Sequence, residues 1–222
     1  MLKPAGGIRR SRIGTYWAAA LLAVAVPLGG CGVGTEKAPE TRYFVIDYAL
    51  KPEKGARTTP VTVGVDNFRS DSIYRTEKIV FRRVPYQVDF YPYQRWGARP
   101  DEIVTDRMID HLLATGSFRE VVRSASGAPS DYLVRGRIKR FEEDNVSNSF
   151  FADAQIEITL IHRRSGKVLL QRRISRRTRA RTQPPHGFVN AMAENLKGLL
   201  GEASAQIAEA VSKHHGRMAK RP

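Results

Sequence analysis

The last third of the chain carries the strongest constraint on its fold. Val189, Met192, Leu196, Leu199, Ala203, Ile207 and Val211 recur at spacings of three and four, which places them along one side of a long helix. A stripe of that kind is stable only when a second layer covers it. The residues upstream supply one. Ala154, Ile156, Ile158 and Leu160 alternate with Gln155, Glu157 and Thr159, the period-two signature of a strand with one buried face. Asp131 to Phe141 reads as the strand before it. Arg164-Ser165-Gly166-Lys167 makes a turn into a further strand from Val168 to Ile174, completing an antiparallel meander.

The first half repeats the scheme. Tyr43 to Ile46 reads as a strand, and Val61, Val63 and Val65 alternate with Thr62, Gly64 and Asp66 as a second. Ile79 to Phe81 and Tyr86 to Phe90 flank Arg82, Arg83 and Pro85 as a hairpin-like pair, followed by an aromatic, turn-rich loop from Tyr91 to Pro100. Pro100-Asp101-Glu102 is a helix-start signal, with Val104, Met108, Ile109, Leu112 and Leu113 as the core-facing side and Gly116 as the stop. Phe118 to Val122 is another short strand. Strands, helix, strands, helix predict an α+β fold, a mainly antiparallel sheet with two amphipathic helices on one face.

The N-terminus is of another kind. Basic residues from Lys3 to Arg12 precede an apolar stretch, Trp17 to Val26, that is too short to span a bilayer as a helix. This is an export signal. Leu28-Gly29-Gly30-Cys31 resembles the bacterial lipobox, which predicts cleavage between Gly30 and Cys31 and lipid attachment to Cys31, the single cysteine of the chain. By resemblance to the sorting pattern of Gram-negative lipoproteins, Gly32 directs the product to the outer membrane, facing the periplasm. The expected organisation is a signal peptide over 1–30, a lipidated flexible tether over 31–41, one domain over 42–212 and a basic disordered tail over 213–222.

Charge narrows the partners. The chain carries a formal +15, and removal of Lys3, Arg9, Arg10 and Arg12 with the leader leaves 33 basic against 22 acidic residues. Such a protein favours anionic partners, and an exported, tethered chain rarely meets nucleic acid, so lipid headgroups or an acidic protein fit better. The stretch Arg163 to Arg181 holds nine Lys or Arg and no acid, and Arg163, Arg164, Lys167, Arg172, Arg173, Arg176 and Arg177 form its candidate anionic-partner patch. A solvated strand face explains them equally well. Tyr91, Tyr93 and Trp96 are candidate anchors of a partner interface, with core packing as the competing assignment.

Catalytic patterns are missing. The five histidines are scattered, without HExxH, GxSxG, P-loop or metal-spaced cluster, so no enzyme activity, metal or cofactor is expected. His111 beside the helical stripe reads as structural, and Glu142-Glu143-Asp144 as a solvated loop.

Four segments in order carry a resemblance: Arg42-Tyr43-Phe44-Val45-Ile46-Asp47, Arg95-Trp96-Gly97-Ala98-Arg99-Pro100 leading into a helix, a basic strand ending Phe141-Glu142, and the closing amphipathic helix. Together they make the chain similar to the ABC-type transport auxiliary lipoproteins of Gram-negative bacteria. The resemblance implies a membrane-anchored accessory protein that works with an ABC transporter and a mammalian-cell-entry (MCE) type protein to move lipids or other hydrophobic molecules between the membranes. A homo-oligomer is compatible with it. The alternative is an envelope-assembly or structural lipoprotein that serves no transporter.

Overall fold

A computed structural model describes residues 39–53, 58–146 and 149–219. The predicted signal peptide, its Gly30–Cys31 cleavage site and the lipidated Cys31 lie outside the described residues. The elements in chain order are β1 (Arg42–Phe44), β2 (Thr59–Val65), β3 (Arg69–Ser70), β4 (Lys78–Arg82), β5 (Asp89–Trp96), α1 (Pro100–Ala114), β6 (Phe118–Arg123), β7 (Tyr132–Asp144), β8 (Phe151–His162), β9 (Lys167–Arg179) and α2 (His186–Ala219).

β7 is the strand on which the others assemble. Along one edge it pairs antiparallel with the whole of β8, which in turn pairs antiparallel with β9. Along the other edge three short strands follow one another in parallel: β2 against Tyr132 to Val134, β3 against Arg137 and Ile138, β4 against Glu143 and Asp144. Residues 63–82 thus act as one interrupted strand, with a 3-10 turn at Ser72–Tyr74 making the largest excursion. β6 adds to β2 in parallel, β5 to β4 antiparallel, and β1 to β5 in parallel. The α+β class is as the periodicities require, but the sheet is not purely antiparallel. Among the described residues its three antiparallel pairings are the two of the β7–β8–β9 meander and the β4–β5 hairpin, and every other pairing is parallel.

Both helices cover the buried face and pack on each other. In α1, Val104, Met108 and Leu112 are fully buried, with Pro100 at the first turn beside Asp101 and Glu102, where acidic residues complement the helix dipole. In α2 the predicted stripe is buried from Met192 to Val211. Gly198, unfavourable in a helix interior, has a packing reason: a Cβ there would lie 2.6 Å from the guanidinium carbon of Arg176.

Two expectations need correction. Tyr91 to Trp96 is strand rather than loop; β5 pairs Phe90 with Val80 and Arg95 with Lys78, so the residues between, including Pro92, bulge outward. The segment after Ser212 is helix to Ala219 rather than a disordered tail. His214 explains the extension, since its Nδ1 shares a hydrogen bond of 3.1 Å with the Tyr132 hydroxyl and its ring lies 4.7 Å from that of His162.

At Gly136 of β7 a Cβ would stand 2.0 Å from the buried Phe68 ring. Gly136→Ala should therefore lower stability by roughly 1–3 kcal/mol. Urea denaturation should show a lower midpoint, partly restored when Phe68→Leu is added; no loss in the single variant would refute this packing.

Candidate interaction surfaces

The end of β7 holds two buried carboxylates that the sequence placed in a solvated loop. Glu142 and Glu143 are each 1% exposed. They are buried because β4 and β8 both pair with this end, so the strand continues through Asp144. Neighbours on a strand point to opposite faces, and the two glutamates are held separately. Glu142 accepts hydrogen bonds from the Tyr74 hydroxyl at 2.7 Å and Arg82 Nε at 2.9 Å. Glu143 accepts from the Tyr91 hydroxyl at 3.0 Å and has no ion pair among the described residues. Burial pushes its carboxyl up to about 7, against the opposing pull of the Tyr91 hydrogen bond and Arg83. The pair is divided between two faces and is not a convergent acid/base site.

The three candidate aromatic anchors separate in the same region. Trp96 is 1% exposed, its ring 5.3 Å from Phe141 and 5.7 Å from Phe188, so it belongs to the core and not to a partner surface. Its place is set by β5, which returns to regular pairing at Arg95, beside Lys78, and whose Phe44-paired end points inward. Tyr91 is half-buried by its bond to Glu143 and its ring contact with Phe81. Tyr93, on the bulge, is 41% exposed. Sequence reasoning missed the other exposed neighbours: Val84, Tyr86 and Phe90 on the β4–β5 hairpin, and Tyr43 and Val45 at β1. The signal was Val84-Pro85-Tyr86, an apolar run where turns are ordinarily polar.

The basic stretch divides between two faces. On one, Arg173 pairs with Glu157, and Arg177 pairs with Asp144 at 2.9 Å while its guanidinium lies 3.6 Å from the centre of the Phe151 ring. On the α2 side, Arg176 packs over Gly198, and Lys167 and Arg172 line an open groove of about 610 Å³ with Arg217 and the ion-paired Lys213 and Glu209, over Val168, Leu170 and Ala210. Lys167 and Arg172 have no acidic partner among the described residues. Arg163 donates to Ser124 Oγ at 2.7 Å, and Arg164 is exposed in the β8–β9 turn. His111 is buried as a structural residue, 3.0 Å from the Tyr48 hydroxyl, with burial first and Arg107 and Lys197 next lowering its pKa to about 4. Among the described residues no cluster of His, Cys, Asp and Glu could hold a metal ion, and no helix is long and apolar enough to cross a membrane.

The profile of the family described as "ABC-type transport auxiliary lipoprotein component" matches residues 48–208, from the segment after β1 to the last turns of α2. The chain belongs to this family. Among solved structures, this auxiliary lipoprotein is similar to a Xanthomonas campestris protein of family DUF330, with 16% identity, a TM-score of 0.72, and coverage of 78% of this chain and 98% of that one. An uncharacterized protein follows at 14% identity and a TM-score of 0.60, covering 78% and 99%. At these identities the likeness is one of fold. No curated protein matches the chain.

The auxiliary lipoprotein should show Glu143 in its pH dependence. A carboxyl whose pKa is raised by folding stabilises the native state below its unfolded value, and that contribution is lost as the pH rises through about 7. Glu143→Gln keeps an acceptor for Tyr91 without the charge, so it should be more stable than the wild type near pH 8 by roughly 1–3 kcal/mol, with the gap closing near pH 5. Equal pH slopes in urea denaturation would show that Glu143 is not the group responsible.

Proposed function

We propose that this auxiliary lipoprotein is acylated at Cys31, held at the outer membrane facing the periplasm, and serves an ABC transport system with an MCE-type component that moves lipids or other hydrophobic molecules between the membranes. The observation that carries the proposal is the family match over residues 48–208. The lipobox-like Leu28 to Cys31 and the following Gly32 supply the compartment. Several acyl chains on one cysteine give slow release, each buried methylene adding ~0.8 kcal/mol. The protein acts by binding rather than by turnover. With Trp96 in the core, the partner-facing role passes to the basic groove side, where Lys167 and Arg172 make no ion pair among the described residues and can steer an acidic partner.

Intact mass of the protein purified from membranes should correspond to a chain beginning at acylated Cys31, and Cys31→Ala should lose the added mass. An unmodified Cys31 in mature protein refutes the anchor. Affinity purification in mild detergent should recover an MCE-type protein and ABC permease subunits; recovery of envelope-assembly factors alone would replace the transport role by a structural one. Lys167→Glu with Arg172→Glu should weaken that capture roughly tenfold or more at low salt and little at high salt. A loss independent of salt would mean that the contact is not steered by charge.

A further inference from the structure

We propose that the β4–β5 hairpin and the adjoining β1 edge form a second membrane contact, seated in the headgroup layer of the bilayer that holds the lipid anchor. This rests on the acylation of Cys31 proposed above.

The large hydrophobic side chains exposed among the described residues are unevenly placed. Of ten, six belong to this one edge: Tyr43 and Val45 at β1, Val84 and Tyr86 in the hairpin loop, and Phe90 and Tyr93 on β5. They are contiguous because β1 pairs with β5 through Arg42–Gln94 and Tyr43–Arg95, and β5 with β4. An apolar cluster of this kind marks a surface that something covers. Tyr86 is at its tip. Its ring is fully exposed and its backbone has φ 67°, in the left-handed region that aromatic residues rarely occupy. The turn thus holds an aromatic side chain outward where it gains nothing from its own fold.

The charges beside it select the occupant. Lys78 Nζ lies 5.7 Å from the centre of the Phe90 ring, and the Arg83 guanidinium 4.9 Å from that of Phe81. Neither cation makes an ion pair among the described residues, Arg83 facing the buried Glu143 only at longer range. Aromatic and aliphatic side chains flanked by unneutralised cations match a layer of phosphate groups over acyl chains. A two-fold contact of this edge with a second copy would gather two sets of the same cations, Lys78 and Arg83, at one interface. Reach completes the case. Arg42, the first residue of β1, follows Cys31 by eleven positions, a span of at most ~40 Å. The anchor therefore keeps the domain within reach of the bilayer, and the apolar edge decides which face meets it.

The test uses the only cysteine to advantage. Acylation consumes Cys31, so Gln87→Cys in the full-length protein gives one thiol at the hairpin, to be labelled with an environment-sensitive fluorophore. In vesicles of phosphatidylethanolamine and phosphatidylglycerol the emission should shift to the blue and be quenched by nitroxide lipids. A label at Ser175→Cys on β9 should stay water-like. Adding Val84→Ser, Tyr86→Ser and Phe90→Ser should abolish the shift while circular dichroism remains unchanged. A water-like Gln87 label in vesicle-bound, acylated protein overturns the proposal. So does a label already buried before vesicles are added, which would assign the edge to another copy. If mass spectrometry finds Cys31 unmodified, the anchor reading fails by itself, and vesicle flotation of the unacylated chain decides the hairpin. Binding that falls roughly tenfold or more in the triple-serine variant sustains it, and no binding refutes it.

Discussion

The hydrogen-bonding capacity of β7 is the constraint on which the rest of the structure depends. A buried strand must satisfy both of its edges, and β7 meets that demand with one long antiparallel partner, β8, and a relay of β2, β3 and β4 on the other side. The relay has consequences beyond pairing. Its excursion between β3 and β4 brings Tyr74 over the far end of β7. Because β4 resumes the pairing there, Glu142 and Glu143 are carried into the interior. The hairpin from β4 into β5 leaves from the same point, with Tyr91 bonded to Glu143 at its root.

What the sequence revealed is what local periodicity encodes. The stripes of α1 and α2, the alternation of β8 and the turn before β9 are properties of short windows, and the structure has each of them except that Leu113, expected on the core side of α1, is exposed. The parallel relay was not legible. Nothing in Val61, Val63 and Val65 names Tyr132 to Val134 as partners, and β3 is two residues long. Pro92 and the bulge gave β5 the appearance of a loop. Glu142 and Glu143 were misplaced because acidic runs are ordinarily solvated, whereas here hydroxyl and guanidinium groups from 50–70 residues away receive them. The end of α2 was misplaced for a related reason: its last contacts are made by an imidazole, which no apolar stripe announces.

The candidate site was legible in composition and not in arrangement. The sequence showed aromatic residues and arginines in the right segments, but could not divide them by face. Trp96 and Tyr93 are three residues apart, yet one is in the core and the other on a bulge. Arg172 and Arg173 are adjacent, yet one lines the groove beside α2 and the other is neutralised by Glu157.

That division bears on why β9 is so basic. β9 is the outer strand of the meander, thirteen residues long and mostly exposed, and cations on such an edge discourage pairing with another chain. Protection of the edge requires only that charge be present, and Arg173 and Arg177 serve that role while paired to Glu157 and Asp144. It does not account for Lys167 and Arg172, which lie over apolar residues opposite Arg217 and the Lys213–Glu209 ion pair of α2. Gathering like charges across a groove raises their mutual repulsion and lowers stability, so edge protection alone would favour spreading them apart. A concentrated positive potential above an apolar floor instead lowers the energy of an anionic partner that brings apolar surface with it. The arrangement is therefore better explained by association than by solubility.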